Sequence, residues 1–293
     1  MFKGIFPPIT TPFQDDKVAY DKLAENINKY NTKNLAGYVV FGSNGESVFL
    51  SKEEKLKMIS TVREHTIAEK KIIAGTGLES IKETISLSNE AAKNGADYAL
   101  IITPSFFKSA MNHDAFMEYY SIVADSISIP VIIYNVTKFT NVNLEVETLT
   151  ELAEHSNIVG LKNSTENIAQ LSESIYKTPK DFFTLAGTGS VLLSALSSGA
   201  VGGVLALANV APDECIAIYD LFNQGKLEEA EEIQKRMLAV NRAITATYGV
   251  AGLKSAMGHL GYYGGLPRKP LQPLASNHIK NLKAILSNAG LLK

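Results

Sequence analysis

The chain has one cysteine, Cys215, and no tryptophan in 293 residues. A lone thiol cannot close an internal disulfide, which excludes a small disulfide-stapled fold and makes a reducing cytosol the default setting. No uninterrupted apolar run approaches the roughly 18 residues of a membrane span. The opening Met1-Phe2-Lys3-Gly4-Ile5-Phe6 has no charged leader followed by a long apolar stretch. A soluble, cytoplasmic protein is expected. An excess of either charge is also missing: 28 Lys+Arg against 30 Asp+Glu give a formal net charge of -2. That leaves no electrostatic footprint for a phosphate backbone or an anionic membrane, so neither nucleic acid nor membrane is an expected partner.

What is present is enough apolar residue, 45% of the chain, for one large core. Short apolar runs recur through the first 210 residues: Ile5 to Thr10, Ala36 to Phe41, Lys71 to Thr76, Asp97 to Ile102, Pro130 to Asn135, Asn157 to Lys162, Phe182 to Gly187 and Val201 to Ala206. Most are continuous and do not alternate, as parallel strands covered on both faces do. Segments of helical period lie between them. Ser51 with Glu54 and Ser80 with Glu83 form capping-box patterns; Phe116, Tyr119 and Val123 share one helical face, as do Ile168, Leu171 and Ile175. Gly95 and Gly199 mark helix ends. This alternation predicts a (β/α)8 TIM barrel over residues 1–210, with an open doubly wound sheet as the other solution of the same pattern. After Asn209 only helical segments follow, Ala211 to Asn223, Leu227 to Ala246 and Ile279 to Ala289. Residues 211–293 are expected to form a C-terminal helical extension packed on the barrel as one structural unit.

Barrel chemistry belongs to the C-terminal strand ends and the loops beyond them. The second strand ends in Gly42-Ser43-Asn44-Gly45-Glu46, the fourth in Thr103-Pro104, the fifth in Tyr134-Asn135 and the sixth in Gly160-Leu161-Lys162-Asn163-Ser164. Lys162 follows an apolar strand, so its amine can be drawn into the barrel mouth, where desolvation favours the nucleophilic form that a Schiff base needs. Taken alone, such a lysine reads first as a solvated strand cap, since lysines are rarely buried. Tyr134 stands at the matching end of the neighbouring strand, either as a proton shuttle or as a packing side chain. The Gly42 to Gly45 turn offers backbone N–H groups, the Ser43 hydroxyl and the Asn44 amide to an anion, although two glycines three apart first read as an ordinary tight turn. Gly75-Thr76-Gly77, Gly187-Thr188-Gly189 and Gly202-Gly203 supply neither a full dinucleotide fingerprint nor a P-loop lysine. His65, His113, His155, His259 and His278 are dispersed, so no metal site is expected, and no histidine falls at a strand end to activate Ser43.

With those positions in hand, the chain resembles the N-acetylneuraminate lyase and dihydrodipicolinate synthase superfamily over essentially its whole length. The likeness rests on Gly4-Ile5-Phe6-Pro7-Pro8-Ile9-Thr10-Thr11-Pro12-Phe13, the Gly42 to Glu46 loop, Tyr134-Asn135 and Gly160-Leu161-Lys162. Within it, the loop form Ser43-Asn44-Gly45-Glu46, Ser164, the stretch Gly199 to Val210, Gly252-Leu253-Lys254 and Gly261 to Gly265 are most similar to 4-hydroxy-2-oxoglutarate aldolase. The resemblance implies Lys162 as nucleophile, Tyr134 as acid and base, and Ser43, Asn44 and Ser164 as binding and proton-relay groups. Gly187 and Val204 complete the candidate substrate-binding set. It implies a covalent lysine imine with pyruvate and no separate cofactor, an aldehyde as the second substrate, and a homotetramer.

Two departures bear on the acceptor. Dihydrodipicolinate synthases carry an arginine for the semialdehyde carboxylate where this chain has Phe139; the adjacent Lys138 is expected on the other side of an extended segment. Phe106-Phe107 replaces a tyrosine pair, and phenylalanine cannot pass a proton. The leading expectation is therefore reversible aldol cleavage of a 4-hydroxy-2-oxo acid such as 4-hydroxy-2-oxoglutarate. The alternatives are 4-hydroxy-tetrahydrodipicolinate synthesis, a 2-keto-3-deoxy sugar acid aldolase, and a keto-acid-binding barrel without turnover.

Overall fold

The computed structural model describes residues 2–292. Strand β1 (Gly4–Phe6) is followed by a small hairpin, β2 (Phe13–Gln14) and β3 (Lys17–Val18), and by helix α1 (Tyr20–Asn31). Then come β4 (Gly37–Val40), α2 (Lys52–His65), β5 (Lys71–Gly75), α3 (Ile81–Lys93), β6 (Tyr98–Ile102), α4 (His113–Ser126) and β7 (Val131–Asn135). A one-turn helix α5 (Thr137–Thr140) and α6 (Val146–Leu152) precede β8 (Ile158–Asn163), α7 (Ile168–Lys177), β9 (Phe183–Ala186), α8 (Leu192–Ser197) and β10 (Gly202–Val204). The tail adds α9 (Pro212–Asn223), α10 (Leu227–Arg242), α11 (Gly249–His259) and α12 (Ser276–Asn288).

Eight parallel strands form one sheet in the order β1-β10-β9-β8-β7-β6-β5-β4. The sheet closes between β1 and β4: Pro8 bridges Val39, the Ile9 amide donates to the Val39 carbonyl at 2.9 Å, and the Ala36 amide donates to Ile5 at 3.0 Å. Closure selects the barrel over the open sheet. The two-residue strands of the hairpin are too short to show any alternation, and the sequence does not predict them.

Every second residue of each strand points inward. Phe6, Val39, Ile73, Leu100, Ile132, Leu185 and Val204 fill the barrel, while Ile72, Ala74, Ala99 and Ile101 face the helices. The lower end is plugged by Phe2, whose ring stacks on Phe183 at 4.4 Å and on Phe6 at 4.9 Å and meets Tyr98 edge-on at 4.7 Å. Such pairs add about 0.5–1.5 kcal/mol each beyond their buried area. The opposite end is left for chemistry.

The helices follow their apolar faces. Ser51 makes the complete capping box with Glu54, whereas Ser80 accepts from the Glu83 amide without the reciprocal bond. Gly95 and Gly199 take φ of +103° and +106° after α3 and α8, a conformation open to glycine at little cost. The tail shares a core with the barrel: Cys215, Ile218, Met237, Val240, Leu253, Met257 and Leu282 join the cluster that contains Ile5, Ile9 and Tyr38. Asn26 of α1 and Tyr263 beyond α11 exchange two hydrogen bonds at 2.8 Å.

Two expectations need correction. The segment predicted as one helix from Leu227 to Ala246 changes to a π-helical turn at Ala243–Thr247. The stretch after Asn135, read as extended, is helical at Thr137–Thr140, because Val136 accepts from the Phe139 and Thr140 amides.

Candidate active site

Tyr134 and Lys162 are register partners on β7 and β8, and Lys162 is in turn the partner of Leu185 on β9. All three point inward at the open end. Lys162 is only 3% exposed and Tyr134 5%, so Lys162 is not the solvated strand cap that it could have been in isolation. The Lys162 Nζ lies over the Tyr134 ring, 3.8 Å from its centroid. A cation against a desolvated aromatic face gains about 2 kcal/mol, which holds the amine in the mouth.

Burial pushes the Tyr134 phenol up. The Lys162 charge and hydrogen bonding with Ser43, Ser164 and Lys162 pull it down and prevail, leaving it below the ordinary tyrosine value. Four predicted residues from three loops and strands therefore lie around one hydroxyl. A phenol shifted in this direction gives up its proton more readily and suits proton transfer.

Ser43 and Asn44 are half-buried in a single 3-10 turn, Ser43–Gly45. The turn is entered from Phe41 at φ +61° and left through Glu46 at φ +54°. Left-handed non-glycine residues cost about 1–3 kcal/mol each and persist only where the surroundings enforce them. Here Thr11 Oγ1 donates to the Gly45 carbonyl at 2.6 Å, and the Gly45 amide donates to Gly42 at 2.9 Å. The amides of Ser43 and Asn44 have no protein acceptor among the described residues, so both are free for an anion.

Ser164 and Gly187 are fitted to each other. The Ser164 hydroxyl donates to the Gly187 carbonyl at 3.3 Å, and the Gly187 amide donates to Asn163 at 2.7 Å. A Cβ on Gly187 would fall 1.9 Å from Ser164 Oγ, so no larger residue fits there. Val204 ends β10 opposite Phe6 and lies in the apolar cluster that contains Tyr134 and Leu185. Asn135 accepts from the Leu144 amide at 3.2 Å and donates to Asn143 at 2.9 Å, tying down the loop after Tyr134.

At the rim, Phe139 is 58% exposed. Lys138 does not face the mouth as a free cation, since its Nζ donates to the Thr245 carbonyl of the π-helical turn at 2.9 Å. Phe106 and Phe107, 78% and 70% exposed, meet edge to face in a loop whose Ser105 and Phe106 amides donate to the Glu79 carboxylate. Among the described residues no three His, Cys, Asp or Glu side chains gather as a metal site.

Sequence reasoning missed the support beneath the Ser43–Gly45 turn. Glu46 and Lys254 form an ion pair at 2.5 Å with side chains 1% and 0% exposed, and the Arg268 amide donates to the same carboxylate at 2.8 Å. A fully buried lysine carries no mark in sequence, although the conformation demanded of Glu46 needed some anchor.

The model of the dihydrodipicolinate synthetase family matches residues 1–289. A 4-hydroxy-tetrahydrodipicolinate synthase of Archaeoglobus fulgidus is 34% identical over 293 residues, covering 100% of both chains. One from Methanocaldococcus jannaschii is also 34% identical with 100% coverage of both. Among solved structures, dihydrodipicolinate synthase from Aquifex aeolicus superposes with a TM-score of 0.94 at 29% identity, covering 99% of each chain. The Acinetobacter baumannii enzyme complexed with pyruvate gives 0.95 at 27% identity, covering 100% of each. These relatives bear the name of the synthase, not of 4-hydroxy-2-oxoglutarate aldolase, so they lend the expected subgroup no support. The chain belongs to the dihydrodipicolinate synthetase family and is an enzyme of the class I aldolase type.

Proposed function

We propose that this protein forms an imine between Lys162 and the keto carbon of pyruvate and joins the resulting enamine to an aldehyde. The observation that carries the reading is the Lys162 amine buried against a phenol that Ser43 and Ser164 also address. Lys162 attacks the carbonyl, and Tyr134 relays the protons that turn the carbinolamine into the iminium with loss of water. The iminium then draws electrons from the adjacent methyl carbon as it loses a proton. The free amides of Ser43 and Asn44, with the Ser43 hydroxyl, hold the keto-acid carboxylate. Ser164 and the Gly187 carbonyl order the hydroxyl relay beside the imine, and Val204 walls the methyl group. The imine is part of the enzyme itself, so the scheme needs no separate cofactor.

For the acceptor, the relatives favour 4-hydroxy-tetrahydrodipicolinate synthesis, with aspartate semialdehyde as aldehyde, over the cleavage reaction expected from sequence. One observation supports the second reading, cleavage of a 4-hydroxy-2-oxo acid. Position 139 is an exposed phenylalanine and the adjacent cation is committed to Thr245, so no guanidinium fork stands there for a carboxylate. Assays with aspartate semialdehyde and with 4-hydroxy-2-oxoglutarate decide between them. Faster turnover of the semialdehyde supports the synthase, and pyruvate release from the second compound alone refutes it. The exposed Phe106 and Phe107 supply an apolar patch for a second copy, in keeping with a homotetramer.

A further inference from the structure

A buried ion pair lies outside the candidate site, directly beneath its anion-binding turn. Glu46 follows the Ser43–Gly45 turn and holds a left-handed backbone. One carboxylate oxygen takes the Lys254 amine at 2.5 Å; the other accepts from the Arg268 amide at 2.8 Å. Lys254 comes from α11 and also donates to the Leu266 carbonyl at 2.9 Å. The Arg268 guanidinium grips both Glu54 oxygens of α2, at 2.7 and 2.8 Å, and donates to the carbonyls of Phe49 and Asp16. Phe13 packs against both cations, 4.5 Å from the Lys254 Nζ and 4.3 Å from the Arg268 Cζ.

An ion pair with both side chains removed from water is a weak stabiliser, because desolvation offsets most of the attraction. Its distinctive property is direction. The pair fixes the carboxylate at two points and with it the φ and ψ of Glu46, the residue that ends the turn. If Glu46 were released, it would relax toward the right-handed region, and the Ser43 and Asn44 amides would lose their common aim. We propose that Lys254 is a positioning residue for substrate binding: through Glu46, with Arg268 as second anchor, the C-terminal helices hold the 43–45 turn in the shape that receives the carboxylate of the keto acid. The inference rests on the function proposed above.

Substrate binding and chemistry should separate in the test. Lys254→Met removes the amine and leaves the Glu46 carboxylate only the Arg268 amide, and the double variant Lys254→Met, Glu46→Leu replaces the pair by apolar side chains and restores stability without restoring the anchor. Both should raise KM for pyruvate about tenfold to a hundredfold, the loss expected for charge-assisted hydrogen bonds. kcat at saturating pyruvate, and borohydride trapping of the Lys162 adduct there, should change little. A general loss of structure would instead lower kcat and the melting temperature together, and the double variant would recover KM along with stability. An unchanged KM in either folded variant overturns the inference. Should Lys254→Met not fold, Glu46→Gln, which keeps the acceptor for Arg268 but loses the charge, must raise KM in the same direction, and an unaltered value there overturns it equally. Trapping in the unsubstituted protein separates the two proposals: with an adduct present, an unaltered KM sinks only the role of Lys254; with none, the imine itself is wrong.

Discussion

Replacing Gly187 by alanine puts one methyl group where the structure has no room. Its Cβ would stand 1.9 Å from Ser164 Oγ, 2.7 Å from Ser164 Cβ and 2.6 Å from Ser164 Cα. The hydroxyl could rotate away, but the Cα is backbone, so the two strand ends must separate by roughly 1 Å to approach normal van der Waals contact. That separation strains the bonds from the Gly187 amide to Asn163 and from the Ser164 amide to Asn135. Overpacking costs about 1–3 kcal/mol and each of the two weakened hydrogen bonds about 0.5–1.5 kcal/mol, a total of about 2–6 kcal/mol. For a chain of this size the melting temperature should fall by roughly 4–10 °C. The activity loss should be larger in proportion, about 100-fold in kcat/KM, because Ser164 beside the phenol is the group displaced. Calorimetry and steady-state kinetics on the same preparation measure both. A Gly187→Ala protein indistinguishable from the unsubstituted one in both respects refutes the close fit of these strand ends and the place of Ser164 in the relay.

Tyr134→Phe should lower turnover by about 10²–10⁴-fold, the usual contribution of a positioned acid–base group. Because the phenol is held below its ordinary value, its deprotonated form is reached at lower pH than in free tyrosine. The pH–rate profile should show a limb with an apparent pKa below about 10, absent from the phenylalanine variant; persistence of that limb there assigns it elsewhere. Cys215 is fully buried and burial raises its thiol, so a maleimide should label it only after unfolding. Rapid labelling of native protein contradicts its place in the core. Phe106→Glu should reduce the sedimenting mass if the exposed pair meets a second copy, and an unchanged mass removes that patch from the interface.

The strands were legible because burial on both faces writes a parallel strand as an apolar run. Most predicted runs bracket their observed strands closely, as with Pro130 to Asn135 around Val131–Asn135, while the first, Ile5 to Thr10, runs four residues past Gly4–Phe6. Lys162 and Tyr134 were legible for a related reason: a reactive residue at the end of such a run has only the barrel mouth to enter. Closure left no local signature, since it depends on the pairing of β1 with β4 at opposite ends of the sheet order. The anchor at Glu46 was hidden by sequence distance. Lys254 entered only as part of the Gly252-Leu253-Lys254 likeness and Arg268 not at all, since only the fold returns both beneath the second strand. Lys138 was expected to point away from the side of position 139, and it does, but one helical turn, α5, and not an extended chain carries it to the π-helical turn at Thr245.

The most direct measurement is reductive trapping: the protein is incubated with pyruvate and sodium borohydride, digested, and its peptides weighed. The account predicts a single reduced pyruvate adduct on Lys162, absent without pyruvate and absent from Lys162→Ala, which should also lose turnover. An adduct on another lysine, or undiminished turnover in Lys162→Ala, would contradict it.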